Sequence, residues 1–343
     1  MGKKTEILHI IDGLRVGGAE MLLVTLLKNL KGYSLHLIVL GQPVPLAKEL
    51  PMECKTTYLN FKTYRDIPYS AILVRRYIKK NRIKIVHSHM YWSNITARLA
   101  TPRKIPVFNC IQNISSLASY KINRLSLYLE KATYRKRHHI IAVSKTVLDD
   151  FNQWIGLKGE ATVLYNIIGN EFFSNRPPKT FSPDKIRLVA VGNLRKQKNY
   201  PYLLSAFKSM PLHVSLDIYG IGPEKEAMQQ LIEEDKLNIK LKGIQSNMHL
   251  ILPEYDAYIM CSTHEGLSLA LMEAMACGLP AFLSDIPVQR EAAEDAAVYF
   301  DLNDPQDCVS KVLDTFINRE KLSGMSLKGI ERAAEIAKKE KYI

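Results

Sequence analysis

The sequence predicts an α/β protein built from two Rossmann-like domains, each a doubly wound parallel sheet with helices on both faces. Three observations lead there. The chain has 343 residues, 47% of them apolar, which exceeds one hydrophobic core and suffices for two. Short, continuously apolar runs alternate with helical patterns in two successive blocks, and strands that are apolar on both faces belong to parallel sheets. Between the blocks lies Ser174-Asn175-Arg176-Pro177-Pro178-Lys179, a segment that forms neither helix nor strand well.

The first block opens with an apolar strand at 7–11, a glycine-bearing turn and an amphipathic helix at 19–30. Strands follow near 35–40, 83–87, 107–111 and 140–143, with helices between them. In the second block, strands near 188–191, 214–218, 239–241, 257–260, 281–283 and 298–300 alternate with helical patterns such as 201–209 and 225–234. The expected division is a first domain at 1–173, a linker at 174–184, a second domain at 185–325 and a C-terminal helix at 326–343. Ligands of open parallel sheets sit beyond the carboxyl ends of the strands at the switch point, so a cleft between two such domains is the expected site.

No apolar run approaches the roughly 20 residues needed to cross a bilayer. The opening Met1-Gly2-Lys3-Lys4 leads into a strand pattern ending at Asp12 rather than into a signal peptide. A cytoplasmic protein is expected. Cys54, Cys110, Cys261, Cys277 and Cys308 are scattered and suggest neither disulfides nor a zinc site. Of the net charge of +13, all the excess lies in residues 1–175, with 26 Lys+Arg against 11 Asp+Glu; the remainder holds 21 against 23. That asymmetry points to an anionic partner for the first domain. The segments 75–80 and 131–137 mix cations with aromatic and aliphatic residues, as interfacial helices do, so a peripheral position on an anionic membrane face is expected. No nucleic-acid-binding motif accompanies the charge.

The strongest chemical signal is Glu265-Gly266-Leu267-Ser268-Leu269-Ala270-Leu271-Met272-Glu273, followed by Ala274-Met275-Ala276-Cys277-Gly278-Leu279-Pro280. Ser268 reads as a helix N-cap, Gly278 as a left-handed C-cap and Pro280 as a stop. The N–H groups of Leu269 and Ala270 then face whatever occupies the helix start, which suits a phosphate oxygen. Glu265 before the helix and Glu273 in its second turn can accept hydrogen bonds from sugar and ribose hydroxyls.

This stretch resembles glycosyltransferase family 4, the retaining GT-B enzymes of group 1, whose hallmark is two glutamates with seven residues between them. The resemblance extends through Gly17-Gly18-Ala19-Glu20, Val86-His87-Ser88-His89, Ala142-Val143-Ser144, Tyr165-Asn166 and Gly192-Asn193-Leu194-Arg195-Lys196-Gln197-Lys198-Asn199. It implies a GT-B fold with an acceptor-binding first domain and a nucleotide-sugar donor in the second. It also implies that Gly17 and Gly18 lie close to donor or acceptor, that Arg195 and Lys198 lie on the diphosphate, and that His89 and Gln112 lie on the acceptor side. Two positions depart from the family. Asn193 stands where many relatives carry the phosphate-binding Arg, and Gln112 where many carry a histidine; Gln112 can hydrogen-bond but cannot carry a proton. Ser268 replaces the usual proline.

Departure of a nucleoside diphosphate builds negative charge, which preorganised cations stabilise in the transition state. Arg195, Lys198 and Glu265 are therefore the expected catalytic residues. No D-x-D occurs, and no His/Cys cluster is apparent along the chain, so metal-independent transfer without a cofactor is expected. The sequence thus points to a retaining hexosyltransferase using a nucleotide-sugar donor, UDP-linked in first place, on a saccharide or lipid-linked saccharide acceptor in surface polysaccharide biosynthesis. A non-catalytic subunit of the same fold would have lost Glu265, Glu273 or Lys198. A nicotinamide dehydrogenase is disfavoured, since the first turn lacks G-x-G-x-x-G and the second strand ends at Leu40-Gly41-Gln42 without an acidic residue.

Overall fold

The computed structural model describes residues 4–117, 123–173 and 181–337. The expected linker up to residue 180 and the expected C-terminal helix beyond 337 lie outside the described residues. The chain divides into two compact units, with the boundary between Ile167 and Ile168.

The first unit runs β1 (Thr5–Ile11), α1 (Gly18–Asn29), β2 (Tyr33–Gly41), β3 (Lys55–Phe61), α2 (Ile67–Lys80), β4 (Ile85–His89), α3 (Tyr91–Ala100), β5 (Val107–Ile111), α4 (Arg124–Thr133), β6 (His138–Ala142), α5 (Lys145–Ile155) and β7 (Ala161–Val163). Its seven strands are parallel in the order β3-β2-β1-β4-β5-β6-β7. Alternation along each strand fills both faces: Leu8, Ile10, Ile38 and Val86 join α2 and α3 residues in one core, while Ile11, Leu37 and Val39 meet Leu23, Val24 and Leu27 of α1 in another.

Two strands escaped the sequence pattern. β3 has no buried residue along Lys55–Phe61, since it is an edge strand, and β7 has only three residues, too short for any periodicity. β4 ends at His89, two residues later than expected, because polar residues continue the strand. The Ser88 hydroxyl among them is satisfied within the unit: Ser88 Oγ donates to Asn94 Oδ1 (2.7 Å), Asn109 Nδ2 donates to Ser88 Oγ (2.7 Å), and Asn94 Nδ2 donates to the Cys110 carbonyl (3.1 Å). Beside them Arg98, wholly buried, pairs with Glu130 at 2.6 Å, donates to Asn109 Oδ1 at 2.7 Å and lies over the Tyr134 ring.

The second unit runs β8 (Ile186–Val191), α6 (Tyr200–Phe207), β9 (Val214–Tyr219), α7 (Lys225–Glu234), β10 (Ile239–Gly243), α8 (Met248–Ile251), β11 (Ala257–Met260), α9 (Leu269–Ala276), β12 (Ala281–Ser284), α10 (Pro287–Ala293), β13 (Ala297–Phe300), α11 (Pro305–Ile317) and α12 (Arg319–Ile336). The order β10-β9-β8-β11-β12-β13 is again doubly wound, with all pairs parallel. α12 begins at Arg319 rather than at 326 and packs on α9: a Cβ on Gly329 would stand 3.7 Å from the Met275 side chain, and Ser326 Oγ donates to the Gly278 carbonyl at 2.7 Å. Gly278, at φ +76, ends α9 in the left-handed conformation that its position predicts. Among the described residues no helix is long and apolar enough to cross a membrane.

Candidate functional site

In the second unit the strand order reverses between β8 and β11, and parallel sheets leave a crevice beyond such a reversal. The loops after these two strands carry Lys198 and Glu265. Lys198 Nζ donates to Glu265 Oε1 at 2.7 Å, with side chains only 16% and 10% exposed. Both loops are laced together by other bonds: Thr263 N donates to the Gln197 carbonyl (2.9 Å), and Gln197 Nε2 donates to the His264 carbonyl (2.8 Å). From the end of β11 the buried Cys261 thiol reaches the Lys198 and Asn199 carbonyls at 3.0 and 3.2 Å. Asn199 takes the left-handed conformation (φ 53, ψ 36) that Asn tolerates better than most residues, which turns the chain into α6 directly after Lys198.

Gly192, just past β8, leaves the lysine its path. A Cβ there would lie 2.8 Å from Lys198 Cε and 3.2 Å from Nζ. An ammonium has three donors; with one on Glu265, two remain for a ligand. Ser268 caps α9, its Oγ accepting from Leu271 N, so the serine in place of proline serves the helix start. Among the described residues the N–H groups of Leu269 and Ala270 have no partner within the chain.

Glu273 lies in the second turn of α9. Burial, and then the nearby Glu171 carboxylate, push its pKa up to about 8, so at neutral pH it keeps its proton and can donate as well as accept. Glu171 escaped the sequence reading because nothing local links it to α9. Glu265 and Glu273 share a neighbour in the Tyr258 phenol on β11, which burial, Tyr200 and then these two carboxylates push well above its ordinary pKa. Arg195 is exposed and, among the described residues, makes no ion pair. Asp256 accepts from Arg187 N at 2.8 Å, a structural tie between β8 and the start of β11.

In the first unit the strand order reverses between β1 and β4. Asp12, directly after β1, accepts from Ser93 N (2.7 Å), Ser93 Oγ (2.6 Å) and Trp92 N (3.3 Å), closing the start of α3. Burial pushes its carboxyl up to about 6. Gly17 is the N-cap of α1 in extended conformation, and a Cβ on it would stand 2.6 Å from Glu20 Oε2. A larger residue at 17 would have to push aside the carboxylate of Glu20 in the chain's own Gly17-Gly18-Ala19-Glu20 run; Gly18 opens the helix.

His89 is 2% exposed and its Nε2 lies 3.2 Å from Nδ1 of the equally buried His9, so as the chain stands its ring presents no open edge to an acceptor. Gln112 is partly exposed and its Nε2 donates to Cys110 Sγ at 3.2 Å. The expectation of no histidine cluster is corrected: His9, His87 and His89 come together from β1 and β4, and the separation of 78 positions between the first two hid the grouping from a reading along the chain.

Two family models adjoin on this chain: Glycosyltransferase Family 4 matches residues 16–171 and Glycosyl transferases group 1 matches residues 171–332. The GtfA subunit of the UDP-N-acetylglucosamine–peptide N-acetylglucosaminyltransferase of Streptococcus agalactiae is 29% identical over 150 residues, 42% of this chain and 29% of that protein. The N-acetylgalactosamine-N,N'-diacetylbacillosaminyl-diphospho-undecaprenol 4-alpha-N-acetylgalactosaminyltransferase of Campylobacter jejuni is 24% identical over 292 residues, 80% of this chain and 79% of that one. This chain thus spans under a third of the first relative's length and most of the second's. Among solved structures, the sucrose-phosphate synthase of Thermosynechococcus elongatus superposes with a TM-score of 0.85 at 16% identity, covering 99% of this chain and 96% of that one, a likeness of fold that places the chain in the GT-B class. With family models matching from residue 16 to residue 332, and with the paired glutamates and the lysine in place, the chain belongs to the group 1 glycosyltransferases of family 4.

Proposed function

We propose that this protein transfers a sugar from a nucleoside-diphosphate sugar, a UDP-sugar in first place, to a saccharide or lipid-linked saccharide acceptor, with retention of anomeric configuration and without a metal. The single observation that carries the reading is the Lys198–Glu265 pair at 2.7 Å at the switch point of the second sheet, just ahead of a helix start whose first N–H groups are free. Bound there, the diphosphate would take the two remaining Lys198 donors and the N–H groups of Leu269 and Ala270, with Arg195 closing over it from solvent. As the bond from sugar C1 to the diphosphate breaks, the cations meet the growing charge; the acceptor oxygen bonds C1 on the same face, and its proton passes to a phosphate oxygen. Glu273 would hold ribose hydroxyls. The UDP donors and lipid-linked acceptors in the relatives' names motivate these choices of substrate.

The first unit would hold the acceptor at an anionic membrane face. Ile78 and Tyr134 of the two basic segments are buried in the unit's core, so the cations are what faces outward. Arg75, Lys79, Arg82, Lys84 and Lys104 rim a cavity of about 620 Å³ floored by Ile78 and Ile83, and none of the five has an ion-pair partner among the described residues. Co-sedimentation with anionic but not neutral liposomes is the expected result; equal binding to both refutes the membrane part.

The experiment for the donor site is a thermal-shift screen of UDP, GDP, ADP and their sugars. A ligand at 100 times its Kd stabilises the fold by about 2.7 kcal/mol. A shift with one nucleotide, lost in Lys198→Ala, supports the reading; no shift with any of them overturns it.

A further inference from the structure

Three imidazoles stand together on one face of the first sheet. His9 and His87 are paired across β1 and β4, and His89 follows two residues later on the same side. Ring centroids are 5.3 Å apart for His9–His87, 5.5 Å for His9–His89 and 4.2 Å for His87–His89. One nitrogen from each ring lies within 4.8 Å of the other two.

The hydrogen-bond count is incomplete in a way that points to a ligand. His9 Nδ1 and His89 Nε2 face each other at 3.2 Å, and one proton serves that contact whichever ring carries it. His9 Nε2, His89 Nδ1 and His87 Nε2 are buried with no hydrogen-bond partner. Leaving a buried polar atom unpaired costs about 1–3 kcal/mol, and three within one cluster is more than an ordinary core retains. Among the described residues no carboxylate completes the group. Burial, reinforced by His87, holds His9 well below the ordinary imidazole range, burial pushes His87 down to about 4, and burial with both neighbours lowers His89. Imidazole ligates metals in its neutral form.

We propose that His9, His87 and His89 bind one divalent transition-metal ion, Zn²⁺ in first place, as a clamp between β1 and β4. Tetrahedral zinc with Zn–N bonds of about 2.0–2.1 Å sets its nitrogens about 3.3 Å apart. The facing nitrogens His9 Nδ1 and His89 Nε2, at 3.2 Å, already have that spacing; the orphaned His87 Nε2 would be the third ligand once its ring turns, and the outer nitrogens His9 Nε2 and His89 Nδ1 would carry the protons. Three imidazoles favour Zn²⁺, Cu²⁺ or Ni²⁺ over Mg²⁺ or Ca²⁺, and the fourth position is left to water. The two strands so joined lead into Asp12 and the start of α3, so the ion would fix the turn that Asp12 closes. It takes no part in the transfer step proposed above, and that proposal stands or falls separately.

The test uses the full chain, stripped with chelator and dialysed against ZnSO₄ or CoCl₂. Elemental analysis is expected to find one zinc per chain, and the cobalt form to show the visible d–d bands of four-coordinate Co(II). His87→Phe and His9→Phe are expected to lose both signals. His139→Ala, which removes a partly exposed histidine bonded to Glu160 and Thr162, keeps them. Circular dichroism confirms that each variant is folded. A folded wild-type chain that takes up less than a tenth of an equivalent of zinc, or a folded His87→Phe chain that keeps its full complement, overturns the assignment.

Discussion

Replacing Gly192 by Ala tests whether the position of one ammonium governs turnover. The added Cβ would stand 2.8 Å from Lys198 Cε, 3.3 Å from Cδ and 3.2 Å from Nζ, whereas carbon atoms rest comfortably at about 3.5–4.0 Å. The end of the lysine must therefore retreat by about 1 Å, which breaks the 2.7 Å contact with Glu265. The fold itself should tolerate the change. The obstacle is the free end of a flexible side chain, and Gly192 does not occupy the left-handed region, so stability should shift by less than about 1 kcal/mol. A misplacement of that size costs about 10²-fold in rate, or about 2.7 kcal/mol of transition-state stabilisation. The assay is release of nucleoside diphosphate from the donor identified by thermal shift, with melting followed in parallel. Because the methyl acts through the lysine, Gly192→Ala should slow the wild-type chain yet add little in a Lys198→Ala background. Wild-type turnover in Gly192→Ala, or the same factor lost in both backgrounds, would refute the reasoning.

Glu273 gives a pH signature. Its carboxyl, pushed up to about 8, keeps a proton that the unfolded chain gives up near pH 4.3. Its stabilising contribution is thus complete below about pH 4.3 and lost as pH rises through about 8. Glu273→Gln should flatten the fall in Tm between pH 5 and 8; Asp12, also raised, contributes equally to both proteins, and parallel profiles would dismiss the shift. In the first unit, Glu130→Ala strands the wholly buried Arg98 guanidinium and should cost about 3–5 kcal/mol in urea unfolding; a loss below 1 kcal/mol would mean that water reaches Arg98.

Much of this protein was legible in order along the chain. Two alternating blocks announced two parallel sheets. Glu265, Ser268, Glu273 and Gly278 sat at spacings that only a capped helix satisfies, and α9 begins and ends where they say. Such features are local: a cap, a left-handed glycine and an apolar strand are settled by a handful of neighbouring residues. Edge strand β3 and three-residue β7 were not legible, because hydrogen bonding to a neighbour defines them rather than their own periodicity.

What the tertiary structure decided depended on pairs far apart in sequence. Lys198 and Glu265, 67 residues apart, meet because β8 and β11 are adjacent only once the sheet has reversed its order. The need for glycine at 192 follows from that meeting. Glu171 raises the pKa of Glu273 from about a hundred residues away, and His9 finds His87 and His89 across the corresponding reversal in the first sheet. Residue types alone set which groups could do chemistry. Burial and strand order, which are properties of the packed whole, set their charge and their company, since desolvation and Coulomb energy depend on distance in space and not along the chain.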